Sequence, residues 1–315
     1  MASTRRKENV RGAVISIPTA TNRKYELNIP AMKDQVEWIV DQGVRTGKGV
    51  VMLGGGSGEG YFLPWEDHKR IIKTLVDAAN GKVPTMTGIF EVNTDTAVMK
   101  AKYASDAGVD FIQYNPAHYE MPGDDEVLTH YKLMSDKVDV GIVAYNSPWA
   151  TMNYEFTAPT IKKLSELENV WGIKWWSAVP GNYVQCMAQY ADKVAFVVNT
   201  GPYTQYRALA YLMGAKGFIS ALGIFNPKAE LRLLDLLERG KFEEYITEDE
   251  KFHSYEREIA GDATIVKGGV GEGTLARGEM LAVGKDFGPP YRPQREMTKE
   301  DIEKMRKIIK KAKLI

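Results

Sequence analysis

Short, nearly continuous apolar runs recur eight times along this chain, and a segment of helical periodicity follows each of them. The runs are Gly12–Pro18, Gly49–Leu53, Pro84–Phe90, Val109–Tyr114, Val138–Tyr145, Val170–Lys174, Val194–Asn199 and Lys216–Leu222. Their β-branched content and lack of polar alternation suit parallel strands covered on both faces. From the second run to the eighth the starts lie about 22 to 35 residues apart, the length of one strand–helix unit. The segments between carry helix punctuation. One opens at Pro64, repeats Ile71, Ile72, Leu75, Val76 and Ala79, and stops at Asn80-Gly81; another opens at Asn226-Pro227 and stops at Gly240. Eight such units predict an α/β fold, a (β/α)8 TIM barrel over residues 1–239. An open doubly wound sheet uses the same alternation, but no Gly-rich dinucleotide fingerprint follows the first strand. Residues 240–315 show no strand pattern and read as three helices, broken near Gly261-Asp262 and from Gly288 to Pro293. They are expected to form a C-terminal helical extension packed on the barrel.

Charge and cysteine usage narrow the class of function. Forty-one basic side chains balance 41 acidic ones, so no nucleic-acid or membrane-surface partner is expected. The single Cys186 excludes an intramolecular disulfide and fits a reducing, cytoplasmic setting. Met1 to Arg11 is polar and basic without a following apolar stretch of signal-peptide length, and no run approaches the ~20 apolar residues of a membrane span. No His, Asp and Glu residues stand at metal-ligand spacing, so no metal is expected.

A barrel of this kind keeps its chemistry at the C-terminal ends of its strands. Three strand ends stand out: Gly54 to Gly60 after the second, Tyr145-Asn146-Ser147-Pro148-Trp149 at the fifth, and Lys174 at the sixth. Lys174 closes the apolar run Val170–Trp176, where a lone amine is either a desolvated nucleophile or a head group snorkelling to water. Tyr145 and Lys174 are 29 residues apart, one unit, which places their strands side by side about 4.8 Å apart. Alternation puts Lys174 inside the barrel, Trp175 outside and Trp176 inside again. The Gly54–Gly60 turn is either a tight connection or a nest of backbone N–H groups for an anion, with Ser57 adding a hydroxyl. A carboxylate suits it; a phosphate is the rival, although the spacing is not that of a P-loop.

Taken together, Gly55–Glu59 (GGSGE), Tyr145–Pro148 (YNSP), Gly172–Lys174 (GIK) and Gly217–Ser220 (GFIS) resemble the dihydrodipicolinate synthase / N-acetylneuraminate lyase family of class I, Schiff-base aldolases. The order and spacing hold from Gly12 to about Pro293. The resemblance implies a barrel with a helical extension, assembled as a homotetramer, acting on a small 2-oxo acid and an aldehyde with no cofactor beyond the covalent imine. By the same resemblance Lys174 matches the imine-forming lysine and Tyr145 the proton-relaying tyrosine. Gly56 and Ser57 match the pair that holds the 2-oxo acid carboxylate, the first being usually Ser or Thr, and Ile219 matches a residue lining the pocket through its carbonyl.

Departures from the family pattern bear on the second substrate. Ala150 stands where the synthase branch has an arginine for the aldehyde's carboxylate, and Gly201-Pro202-Tyr203-Thr204 replaces the acidic residues of the sialate branch. His118, or Tyr119 one place on, takes the position of a tyrosine after strand four. With Trp149 and Trp176 expected at the mouth, these features predict an apolar or aromatic aldehyde, as in hydratase-aldolases. A 2-oxo-3-deoxy sugar acid dehydratase and a dihydrodipicolinate synthase-type condensation are the alternatives, since the imine supports elimination as readily as aldol chemistry. A non-catalytic 2-oxo acid-binding relative is the alternative of another class. His68, His130 and His253 are expected to have structural or surface roles, and Glu59 to brace the glycine turn through backbone hydrogen bonds.

Overall fold

The computed structural model describes residues 4–119, 121–266 and 270–315. Eight parallel strands close in sequence order: β1 (Gly12–Ser16), β2 (Gly49–Leu53), β3 (Thr85–Ile89), β4 (Phe111–Tyr114), β5 (Gly141–Tyr145), β6 (Val170–Trp175), β7 (Ala195–Val198) and β8 (Gly217–Ser220). Helices α1 (Ile29–Asp41), α2 (Trp65–Ala79), α3 (Thr94–Asp106), α4 (Asp124–Ser135), α5 (Ala158–Ser165), α6 (Pro180–Tyr190), α7 (Tyr206–Leu212) and α8 (Pro227–Glu238) follow the strands in turn. The chain then adds α9 (Phe242–Gly261), α10 (Glu272–Ala282) and α11 (Lys299–Lys311). The expected (β/α)8 barrel with a helical C-terminal segment is therefore what the sequence folds into. Among the described residues no helix is long and apolar enough to cross a membrane.

The two strand faces divide the core as period-2 alternation requires. Val14, Val50, Met52, Phe111, Val143 and Val197 point inward and fill the barrel. Ile15, Val51, Leu53, Ile173, Trp175 and Phe196 point outward into the larger layer beneath the helices. Helix ends follow their punctuation. Asn226 accepts a hydrogen bond from the Ala229 N–H at 3.2 Å to cap α8, and Asn80 ends α2 in the left-handed region at φ 46°.

The expected run Val138–Tyr145 shortens to Gly141–Tyr145 for a definable reason. The Asn169 amide donates to the carbonyls of Val138 at 2.7 Å and Val140 at 3.1 Å, so a side chain satisfies groups that a strand ladder would otherwise pair. The run beginning at Val109 loses Asp110 in a similar way. Its carboxylate accepts from the Thr85 N–H at 2.7 Å and hydroxyl at 2.9 Å.

The last three helices share a second apolar cluster that includes Tyr255, Ile259, Met305 and Ile309, and α9 packs on α7 and α8. Polar clamps fix α10 to the barrel mouth. Glu59, fully buried at φ 55°, pairs with Arg277 of α10 at 2.6 Å and accepts from Gln294, while Arg277 also donates to the Thr19 carbonyl. Glu59 was expected to brace its own turn. Its carboxylate instead ties that turn to α10, because a buried carboxylate is satisfied best by a guanidinium.

Candidate active site

Lys174 and Tyr145 are register partners on β6 and β5, each only 5% exposed. The Lys174 Nζ lies 3.9 Å from the centroid of the Tyr145 ring. An ammonium over an aromatic face gains some cation–π attraction, but here it loses its hydration shell. Burial lowers the Lys174 pKa to about 8, with the charge of Glu272 opposing part of the shift. Burial, with Glu272 and Tyr61 adding to it, holds the Tyr145 phenol well above its usual value. At neutral pH the tyrosine is thus a neutral hydroxyl beside an amine that gives up its proton readily.

The glycine turn above β2 needs its missing side chains. A Cβ on Gly58 would fall 2.8 Å from the Gly54 nitrogen and 3.0 Å from that of Gly55, and one on Gly60 would strike the Gly54 carbonyl. Gly56 is different: its Cβ would meet a carboxylate, Glu272 Oε2, at 2.7 Å. The Ser57 hydroxyl points to the same oxygen at 3.5 Å. Where the resemblance leads one to expect a hydroxyl-bearing residue, Gly56 leaves room for an acid delivered by α10.

A cavity of about 280 Å³ joins these elements. Ser57, Lys174 and Ile219 line it from the barrel, Arg207 from α7, and Glu256 and Glu279 from α9 and α10. The Ile219 carbonyl accepts from Arg207 Nη2 at 2.9 Å. Among the described residues no group of three or more His, Cys, Asp or Glu is arranged to hold a metal ion.

Five residues expected at the site stand outside this lining: Gly56 beside Ser57, Tyr145 under the Lys174 amine, and Trp149, Trp176 and His118. Trp149 is 54% exposed, its ring edge-on to Tyr145 at 5.9 Å. Trp176 does not continue the alternation, because β6 ends at Trp175. The Asn146 amide holds the Trp176 carbonyl at 2.6 Å, and its ring packs against Tyr183 and Tyr206 at 5.8 and 6.2 Å. His118 is half-buried 3.3 Å from the Asn115 amide, and burial lowers its pKa. Tyr119 beside it is exposed at φ 76°.

Sequence reasoning missed Glu272, Glu279, Glu256 and Arg207. The signal was present for α10: residues 272, 275, 276 and 279 share one helical face, and an acid within the stripe Leu275, Ala276, Met280 is out of place on a solvated surface. The field of Glu272 yields a direct expectation. Glu272→Gln will lower the pH at which the Lys174 amine titrates from about 8, since Glu272 is the group that raises the Lys174 pKa. Rates of Lys174 modification by an amine-reactive reagent across pH 6 to 10 check this, and an unchanged or higher midpoint refutes it.

Comparison with known proteins gives one consistent result. The sequence profile described as the dihydrodipicolinate synthetase family matches residues 9–311. The 4-hydroxy-tetrahydrodipicolinate synthase of Thermodesulfovibrio yellowstonii is 26% identical over 305 residues, 97% of this chain and 99% of that one. A dihydrodipicolinate synthase from Acinetobacter baumannii, solved with pyruvate, superposes with a TM-score of 0.85 at 21% identity, covering 97% of this chain and 100% of that one. N-acetylneuraminate lyase from Mycoplasma synoviae gives a TM-score of 0.81 at 22% identity over 98% and 99% of the two chains.

Proposed function

We propose a function from one premise: the chain belongs to the dihydrodipicolinate synthetase family. It is a carbon–carbon or carbon–oxygen lyase of the Schiff-base aldolase kind, and its electrophile is pyruvate or another 2-oxo acid. The observation that carries this reading is the buried Lys174 amine, stacked on Tyr145 and open to a cavity beside the glycine turn.

The neutral amine attacks the ketone carbon of the 2-oxo acid. Tyr145 passes its proton to the resulting alkoxide, takes one back from the Nζ that has become cationic, and gives it to the departing hydroxyl, so water leaves and a protonated imine remains beside the phenolate. That iminium draws electrons from the neighbouring carbon. Losing a proton there gives an enamine that adds to an aldehyde; in reverse, the same electron flow cleaves the bond and frees the aldehyde. The backbone of the Gly56–Ser57 turn and the Ser57 hydroxyl hold the carboxylate, which fixes the ketone against Nζ. Incubation with pyruvate and borohydride tests the reading: a reduced adduct on Lys174 is expected by mass, and its absence rejects it.

The aldehyde is apolar over most of its length. Ile219, Ile224, Ile259 and Leu275 support this by forming an aliphatic wall, and Ala150 offers no cation for a carboxylate. The tryptophans expected to supply stacking surface lie outside that wall. A homotetramer is the assembly we favour from the resemblance, and the exposed Met121, Trp149 and Met152 support burial against other copies.

Tyr145→Phe keeps the ring under Nζ and removes only the hydroxyl. It is expected to lower kcat by about 10²- to 10³-fold, with the adduct still forming slowly. Single-turnover trapping beside steady-state kinetics checks this; a loss below about fivefold would assign the proton transfers elsewhere.

A further inference from the structure

The cavity beside Lys174 does not end at the barrel. Beyond Ile219 it runs under α9 and α10, which face it with Ile259, Ala260, Leu275 and Ala276 and with three acids, Glu256, Glu272 and Glu279. Glu256 and Glu272 have partners in Tyr255 and Ser57, and Glu279 is the third. It is 7% exposed; no hydrogen bond or ion pair from the described residues reaches its carboxyl, whose oxygens are open to the cavity. A carboxyl that opens on an enclosed, largely apolar cavity without a protein partner is a ready contact for a ligand. Burial, with the field of Glu256 added, pushes its pKa well above the usual carboxylate range. That environment favours the protonated form, which offers one O–H donor and free acceptor oxygens.

The neighbours restrict what completes it. Glu256 lines the same cavity from α9, takes a hydrogen bond from the Tyr255 hydroxyl at 3.2 Å, and sits 3.7 Å from His253 Nε2. The Arg207 guanidinium also lines the cavity and is bonded to Glu230 at 2.6 Å and to the Ile219 carbonyl. Tyr255 and Glu230 face Glu256 from α9 and α8. A carboxylate entering beside Glu279 meets Glu256. A cation finds the charge of Glu256 already answered by His253 and Arg207, and gains little from a protonated Glu279. A neutral hydroxyl fits, because it can accept from the Glu279 O–H and donate to a carboxyl oxygen.

We propose that Glu279, with Glu256 beside it, is a recognition subsite for an uncharged hydroxyl at the far end of the aldehyde portion of the substrate. This rests on the Schiff-base reading, because the subsite matters only through its continuity with the Lys174 amine. The substrate it selects has an apolar body and a hydroxylated tip.

The test uses the full chain, pyruvate, and four aldehydes: benzaldehyde, its 3- and 4-hydroxy derivatives, and 4-carboxybenzaldehyde. Condensation is followed by loss of the aldehyde. At least one hydroxy derivative is expected to exceed benzaldehyde by about tenfold in kcat/KM, with the carboxy derivative poorest. Glu279→Leu should erase that preference through KM, bringing the hydroxy derivatives to the level of benzaldehyde. Glu279→Gln, which keeps a donor and an acceptor, should restore most of it. Glu279→Met is measured in parallel, so that one poorly folded variant does not decide the matter. Borohydride trapping of pyruvate is recorded for every protein. No trapping in the wild type overturns the Schiff-base reading. Intact trapping with no hydroxyl preference, with a preference for the carboxy derivative, or with a preference that survives both Glu279→Leu and Glu279→Met, overturns the subsite alone.

Discussion

Lys174→Met will stabilise the protein while abolishing its chemistry. In the unfolded chain a lysine titrates near ~10.4; in the fold burial brings Lys174 down to about 8. The folded value is depressed, so below pH 8 the native state carries a charge it holds poorly. As pH rises from about 8 to ~10.4 the unfolded chain binds the extra proton, and native stability climbs across that window. The penalty at pH 7 is roughly 3 kcal/mol, taking ~1.4 kcal/mol per pKa unit. Methionine fills the same volume without the charge and should recover about 1–3 kcal/mol at pH 7, with the two proteins converging above pH 10. Activity should fall by at least about 10³-fold and the pyruvate adduct should vanish, because among the described residues no other amine opens on this cavity. Denaturant unfolding at pH 7 and pH 10, beside mass analysis of the trapped protein, checks both halves. A variant that is less stable at pH 7, or that still traps pyruvate, contradicts this account of Lys174.

The barrel was legible because its signal is periodic and local. Each strand announces itself as an apolar run, so the order and number of strands were readable while their ends were not; Asn169 and Asp110 show two ends where a side chain meets backbone groups. The placement of Lys174 beside Tyr145 was legible too, since it follows from two strand ends one unit apart. Trp176 shows where such reasoning stops. Alternation assigns it inward only if the strand continues, and β6 ends one residue earlier.

Long-range partners were not legible. Glu272 approaches Gly56 from more than 200 positions away in the chain, and nothing local to either residue announces that meeting. Residues 240–315 were expected to be helices packed on the barrel, but which of their charged residues turn inward was not readable, and Glu279 and His253 are buried there. Composition averages over a helix, whereas burial is decided face by face. His253, expected to have a bland surface role, sits instead at the centre of a buried network of charges.

That network is where a single substitution should cost the most stability. Arg207 of α7 pairs with Glu230 of α8 at 2.6 Å, and His253 of α9 stands 3.2 Å from Glu230 and 2.9 Å from Asp249, all of them almost wholly buried. The Thr204 and Tyr245 hydroxyls donate to Asp249 at 2.8 and 3.0 Å. Burial alone would lower the His253 pKa, but the charge of Glu230 and the contacts with Asp249 and Glu230 outweigh it and raise it to about 9. A raised folded value means that the stabilisation is complete below ~6.5 and is lost as pH rises through about 9. Between pH 6.5 and 8, where Lys174 does not yet contribute, wild-type stability should therefore decline. Glu230→Gln strands the Arg207 charge and removes the main anion facing His253, and should cost about 3–5 kcal/mol. The double variant Arg207→Met with Glu230→Gln should recover part of that loss, because the stranded charge is then gone. Since Arg207 also holds the Ile219 carbonyl at the cavity wall, the folded fraction of Glu230→Gln should show a higher KM for the aldehyde while still trapping pyruvate. Urea titrations of the wild type and both variants at pH 6.5 and 8 decide the point. A loss below about 1 kcal/mol in Glu230→Gln would mean that these charges are solvated in a way the packing of α9 on α7 and α8 does not allow.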